Sequence, residues 1–422
     1  MNKRISQIFI SLYFVIPFLP PLGEMVLDLN TLRLYYFSIL NTIALTYIFF
    51  DEKLSKLLTE SIKNKISIAL GLFIIWGLIS YTYAFNKVEV IVRLFAFINF
   101  YISFLIGYVF LRSAKPAFKE VSLFFSVILI LQVSFSFYAL ETLTTLREYD
   151  FSMNSKIIGI FSNRNITSAI YLIQLPFLIY LFSEIKNKFF KAMLFIISIL
   201  VVYIIFLLAS RTAYVIILGL IIINLIILLI SKQNINQFKN SFLVKFTIII
   251  IIGFIITYTM IGDQNNSNPV NRIQTIDFQE ESTNTRLRYY SYGINDFIKN
   301  PLIGYGLGNF KIISIDRDKE NINSYTIPYT MHNDFLEVAV ELGIIGLLIF
   351  SFVFLFPIYL FYKQLKIGEP NTISVIILSC FIVYFIDANL NFPFTRITSL
   401  VYLASIVNLM IYYYNQSFHE NN

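Results

Sequence analysis

The sequence predicts an all-α integral membrane protein that crosses the bilayer about twelve times. Three observations carry this. Apolar residues make up 57% of the 422 and charged residues 14%, against about 45–50% and 25% in an average soluble domain. The apolar residues lie in continuous runs of about 20, the length that spans a hydrocarbon core, and do not alternate. In hydrocarbon only a helix or a closed barrel satisfies its own backbone polar groups, and continuous runs select the helix. Finally, the basic residues are shared unevenly between the two sets of connections.

Spans are expected at about 5–22, 32–50, 66–84, 89–111, 117–140, 166–183, 190–209, 212–231, 242–262, 333–362, 372–388 and 396–414. The first has the apolar run of a signal peptide, but it lacks a small-residue cleavage site and ends at Pro20-Pro21, so it reads as a span. Cys380, the single cysteine, lies in an apolar run, which excludes an intramolecular disulfide and a cysteine-based metal site. With the N-terminus in the cytoplasm, 17 Lys and Arg fall in the cytoplasmic connections and 8 in the short outer ones, namely Arg33, Lys87, Arg93, Arg147, Lys156, Arg164, Arg211 and Arg396. The positive-inside rule then puts both termini in the cytoplasm and the long segment 263–331 outside. That segment is a polar excursion followed by a helical pattern from Arg286 to Ile298 that stops at Asn300-Pro301. The expected organisation is one membrane domain over 1–422 with the loop 263–331, partly helical, inserted between spans nine and ten. No internal repeat, flexible linker or nucleotide-binding motif occurs. The net charge of +7 belongs to the membrane-flanking loops and not to a nucleic-acid surface.

The cytoplasmic basic residues are mostly Lys, whereas the short outer loops hold mainly Arg. A guanidinium offers a planar fork suited to phosphate, so Arg placed against the charge bias is a candidate ligand; Arg33, Arg93 and Arg396 can equally be helix-end anchors. Arg211, in Ser210-Arg211-Thr212, is held on a tight outer turn, although its neighbours also suit a helix start. Arg286 and Arg288 precede Gly304-Tyr305-Gly306-Leu307-Gly308, a loop able to approach a phosphate closely or simply to close a corner. His332, in Met331-His332-Asn333-Asp334, is the outer side's sole imidazole and a candidate general base. Asn333 or Asp334 suits a helix cap, and Glu337 the positive helix start. Glu341 lies about 12 Å along that helix, deep enough to call for a cavity or a partner. Arg164 belongs to a polar cluster, Gly159 to Asn165, just before a span. Asp316-Arg317-Asp318 reads as solvated charge.

These residues together resemble the O-antigen ligase and O-antigen polymerase superfamily, bacterial membrane glycosyltransferases that use undecaprenyl-diphosphate-linked glycans. His332-Asn333, nine residues, Gly343, two residues and Gly346 match the ligase pattern. Arg286 to Phe310 resembles the family's Arg-Leu segment followed by a Pro-Leu-Leu-Gly-x-Gly-x-Gly-x-Phe run, and Arg211 falls at its Ser-Arg turn. The match covers about 210–350 of the chain. The resemblance implies a site on the periplasmic face of the bacterial inner membrane. There Arg211 and Arg286, with Arg288 near by, hold the donor diphosphate, and His332 takes the acceptor's proton in an inverting transfer without metal or other cofactor. Arg164, Asn333 and Glu341 are further candidate contacts. The implied partners are the lipid-linked donor, membrane lipids, and lipid A core (ligase) or a second lipid-linked glycan (polymerase) as acceptor. The ligase pattern favours the former. A transporter of the same lipid-linked glycan is the reading from another class.

Overall fold

The computed structural model describes residues 3–19, 29–145, 149–230, 242–261, 268–274, 281–321, 329–367 and 372–420. Arg147 and the polar run 262–267 fall outside them. The chain is an all-α polytopic membrane protein, and the described residues contain no strand. Its helices are α1 (Lys3–Val15), α2 (Leu29–Phe50), α3 (Glu52–Ile62), α4 (Lys65–Ile79), α5 (Lys87–Ala114), α6 (Phe118–Thr144), α7 (Arg164–Glu184), α8 (Lys188–Leu207), α9 (Arg211–Ile230), α10 (Phe242–Ile261), α11 (Pro269–Gln274), α12 (Glu281–Lys299), α13 (Phe310–Asp318), α14 (Asp334–Ile367), α15 (Thr372–Leu390) and α16 (Ile397–Glu420). Ten of the described helices are long and apolar enough to cross a membrane: α2, α4 with its 3₁₀ extension, α5 to α8, α10 and α14 to α16. The shorter α1 and the apolar α9 coincide with the two remaining expected spans.

The chain divides into two compact units. One comprises 1–114, 278–360 and 388–408. Within it α5 is the central post, against which α1, α2, α3 and α4 all pack. A buried polar knot joins α1, α2 and α5: Asn41 Nδ2 donates to the Asn99 carbonyl and side-chain oxygens at 3.0 Å, while Tyr13 (2.6 Å) and Ser103 (3.0 Å) donate to Asn41 Oδ1. Within hydrocarbon such groups have no water to turn to, so each must find a partner on a neighbouring helix. Helix α3 occupies a stretch expected to be a cytoplasmic loop. Asp51 caps it by accepting the Lys53 and Leu54 amides, and Leu54 and Leu58 bury one face, the pattern of a helix lying along an interface.

The other unit comprises 115–277, 361–387 and 409–422. Its post is α7, whose apolar window is 83% buried and which packs against α6, α8, α9 and α10. Gln174 donates to Gln132 Oε1 at 2.7 Å, and Tyr171 to the Gln132 carbonyl at 2.9 Å. Gly253 lets α10 press on Val202 of α8, whose Cγ1 would lie 2.3 Å from an added Cβ.

The expected loop region contains α11, α12 and α13. Helices α12 and α13 are held side by side by ion pairs, Arg288 to Asp318 and Arg317 to Asp296, each with a contact at 2.7 Å. Asp318 is therefore a buried, paired carboxylate and not the solvated charge expected from the sequence.

Candidate functional site

Helix α14 begins at a strained turn. His332 has φ +59°, left-handed backbone that an L side chain rarely adopts and that persists only where neighbours hold it. The neighbours are identifiable. Tyr290 of α12 donates its hydroxyl to the His332 carbonyl at 3.0 Å, and the Met331 N–H donates to Glu337 Oε2 at 2.9 Å. Asn333 is the helix cap: its Oδ1 accepts the Leu336 N–H at 3.0 Å and its carbonyl the Glu337 N–H at 2.9 Å. Asp334 reaches from the helix start to the turn before α16, accepting the Phe394 N–H at 3.0 Å.

The imidazole lies among groups from three segments. Phe392 meets it edge-on, ring centroids 4.8 Å apart, and the Arg396 guanidinium stacks on the same phenyl ring at 4.9 Å. Arg286 of α12 donates to the Leu390 carbonyl at 3.0 Å, which sets it beside this turn. Burial, then the positive fields of Arg286 and Arg396, push the His332 pKa down to about 3. The side chain is thus a neutral base at physiological pH, and its Nδ1 is buried with no hydrogen-bond partner among the described residues. A neutral imidazole within the field of two guanidiniums and against an aromatic ring can accept a proton next to a bound anion.

Arg288 has a different fate from Arg286. Its Nε and Nη2 grip Asp318 Oδ1 and Oδ2 at 2.7 and 3.0 Å, a two-pronged pair that raises the Arg288 pKa through the Asp318 hydrogen bond. Arg288→Ala should therefore destabilise the α12–α13 pair by roughly 1–3 kcal/mol, which thermal melting in detergent measures.

The glycine-rich loop is not the phosphate cradle its composition suggests. Gly343 has φ +65° and breaks α14, leaving carbonyls of the preceding turn without their helical donors. The loop and α4 supply them: the Tyr305 amide donates to Val340 O at 3.0 Å, that of Gly306 to Glu341 O at 2.8 Å, and Trp76 Nε1 to Leu342 O at 2.9 Å. Beyond the break, the Ile344 amide returns to Pro301 O at 2.8 Å. An added Cβ at Gly304 would sit 2.5 Å from the Val340 oxygen, and one at Gly343 2.2 Å from the Leu302 oxygen. Glu341 accepts the Phe310 amide at 3.0 Å and that of Gly308 as well, so its carboxylate closes the loop from below. Arg93 of α5 lies against Gly308 and pairs with Glu337 at 2.8 Å.

The remaining expected residues lie in the other unit. Asn163 caps α7, so Arg164 is its first residue. Ala209, with φ +47°, turns the chain sharply between α8 and α9, and Ser210 donates to Asn165 Oδ1 at 2.8 Å, which ties the start of α9 to the start of α7. Arg164 and Arg211 thus stand at two joined helix beginnings.

His332, Arg286 and the Gly343 motif stand out in the sequence, whereas Phe392, which meets the imidazole, does not. The sequence also leaves Arg396 undecided between anchor and ligand. The available signal was Arg396 standing against the charge bias beside an Asn-Phe-Pro turn.

The chain is thus a polytopic helical membrane protein in which an imidazole and two guanidiniums gather at the start of α14. Comparison with known proteins gives a family likeness for one stretch of the chain. Residues 194–351 match the family model described as O-Antigen ligase. A Rickettsia conorii protein provisionally named a polysaccharide ligase is 29% identical over 133 residues, 30% of this chain and 31% of that protein. A Rickettsia prowazekii protein with the same provisional name is 26% identical over 182 residues, 41% of this chain and 43% of its own length. The chain therefore covers less than half the length of these curated relatives.

Proposed function

We propose that the chain is a glycan ligase of the bacterial inner membrane, with both termini cytoplasmic. It transfers a glycan from undecaprenyl diphosphate to a hydroxyl of lipid A core at the periplasmic face. The observation that carries this reading is His332, held neutral in a strained turn with Arg286 and Arg396 beside it. His332 takes the acceptor's hydroxyl proton, and the acceptor oxygen attacks the anomeric carbon from the face opposite the diphosphate. The C1–O bond breaks with its electron pair leaving on the diphosphate, and the configuration inverts. Arg286 and Arg396 stabilise the charge that accumulates on the leaving group. Arg164 and Arg211 are proposed as further contacts to the anionic donor, on their residue chemistry and the family resemblance.

The electrostatics give a pH signature. In the free protein His332 is depressed by burial and by Arg286 and Arg396 to about 3, so kcat/KM for the donor should show no acid limb near the ordinary histidine value of about 6.5. A bound diphosphate offsets the two guanidiniums and favours the protonated imidazole. The acid limb of kcat should therefore lie at higher pH than that of kcat/KM. Equal limbs would remove His332 from the role of base.

The direct test is transfer from a purified undecaprenyl-diphosphate glycan to lipid A core by native protein and by Arg286→Ala and Arg396→Ala. Each variant should lose about 10²–10³-fold in kcat. Product that lengthens on the donor lipid would make the chain a polymerase. Donor crossing a vesicle bilayer without a new glycosidic bond would make it a transporter.

A further inference from the structure

The transfer reading leaves unexplained how a histidine stays in left-handed backbone at the start of a long helix. Such a conformation is strained and relaxes unless over-determined. Tyr290 holds the carbonyl side of His332 and Glu337 the amide side, through the Met331 N–H at 2.9 Å. Glu337 is 4% exposed, one turn into α14, and its second oxygen is taken by Arg93 Nη2 at 2.8 Å. The Arg93 side chain also lies against Gly308, whose added Cβ would sit 2.7 Å from Arg93 Cγ. Met331 is itself fixed by packing: it is fully buried with Tyr289, Phe310 and Val340, and its Cε would lie 2.5 Å from a Cβ at Gly293.

We propose that Arg93 and Glu337 are positioning residues for glycan transfer. Glu337 fastens the Met331 amide and so keeps His332 in its left-handed turn beside Phe392, Arg286 and Arg396, while Arg93 compensates the Glu337 carboxylate and locks its orientation. This rests on the transfer reading. Arg93 then acts as a counter-ion within the protein and is not a donor ligand, although it is an outer-end arginine like Arg286.

The consequence is a rescue relation. Glu337→Gln keeps an oxygen to accept the Met331 N–H and removes the charge that needs Arg93, so it should retain most of the activity. Glu337→Ala loses the fastener, and misplacement of the base should lower kcat about 10- to 100-fold with donor KM unchanged. Arg93→Ala leaves an uncompensated buried carboxylate and should fall as far. The double variant Arg93→Ala with Glu337→Gln should recover at least about tenfold over Arg93→Ala alone.

The experiment is steady-state transfer by native, Glu337→Ala, Glu337→Gln, Arg93→Ala and the double variant in detergent, with melting temperatures measured in parallel. A kcat loss at constant donor KM, with rescue in the double variant, supports the inference. Raised donor KM in Arg93→Ala with no rescue by Glu337→Gln overturns it and makes Arg93 a donor ligand. Full activity of Glu337→Ala overturns it as well. If native protein forms no glycosidic bond, the transfer reading itself fails, an outcome distinct from any pattern among the variants.

Discussion

His332→Ala should lower the transfer rate about 10²–10⁴-fold, the range that a positioned general base contributes. Folding should be unaffected, because the backbone contacts of the turn do not depend on the imidazole: the Tyr290 bond goes to the His332 carbonyl and the Glu337 bond to the Met331 amide. The measurement is single-turnover product formation with donor saturating, compared with donor retained on the protein. Donor binding preserved with chemistry lost assigns His332 to the bond-forming step. Unchanged turnover would leave the arginine pair without a base and remove the proposed mechanism.

Gly343→Ala should have the opposite profile, with loss of the folded protein before any question of rate. The new Cβ would lie 2.2 Å from the Leu302 carbonyl oxygen and 2.3 Å from its carbonyl carbon, and both are backbone atoms that no rotamer change can move aside. The residue also sits at φ +65°, where an L side chain adds about 1–2 kcal/mol. The expected destabilisation is roughly 4 kcal/mol or more. It should appear as collapse of the monodisperse peak in detergent and a fall in membrane-inserted yield. Gly71→Ala on α4 is the control, since its Cβ would meet nothing nearer than the Tyr101 hydroxyl at 3.8 Å. A normal yield for Gly343→Ala would mean that the break in α14 is not enforced by Leu302.

Helix positions were legible because run length is a one-dimensional property that the bilayer reads directly. Helix α3 was not, since its Leu54, Leu57, Leu58 and Ile62 stand among charged and polar residues, and a reading of apolar run length passes over such a stretch as a loop. At the site, residue types were legible and their partners were not. Arg286 and Arg288 are two residues apart on α12, about 200° around the helix, so one faces the His332 turn and the other Asp318. Nothing in the sequence says which carboxylate stands on which side. The three loop glycines likewise declared a close approach, correctly, but could not declare to what. The approach is to the carbonyls of Val340 and Glu341, not to phosphate.

The break in α14 has a consequence for how such a protein can be cut and rejoined. The segment 300–310 and the turn 340–344 complete one another's hydrogen bonds across a sequence gap, so neither carries its own structure to a new host. In building hybrids that exchange substrate preference, a junction placed between them would pair a loop with a foreign helix and leave carbonyls stranded. Crossovers outside 300–346 keep the two strands of the splice from one parent, and the region is expected to travel through recombination as a single cassette.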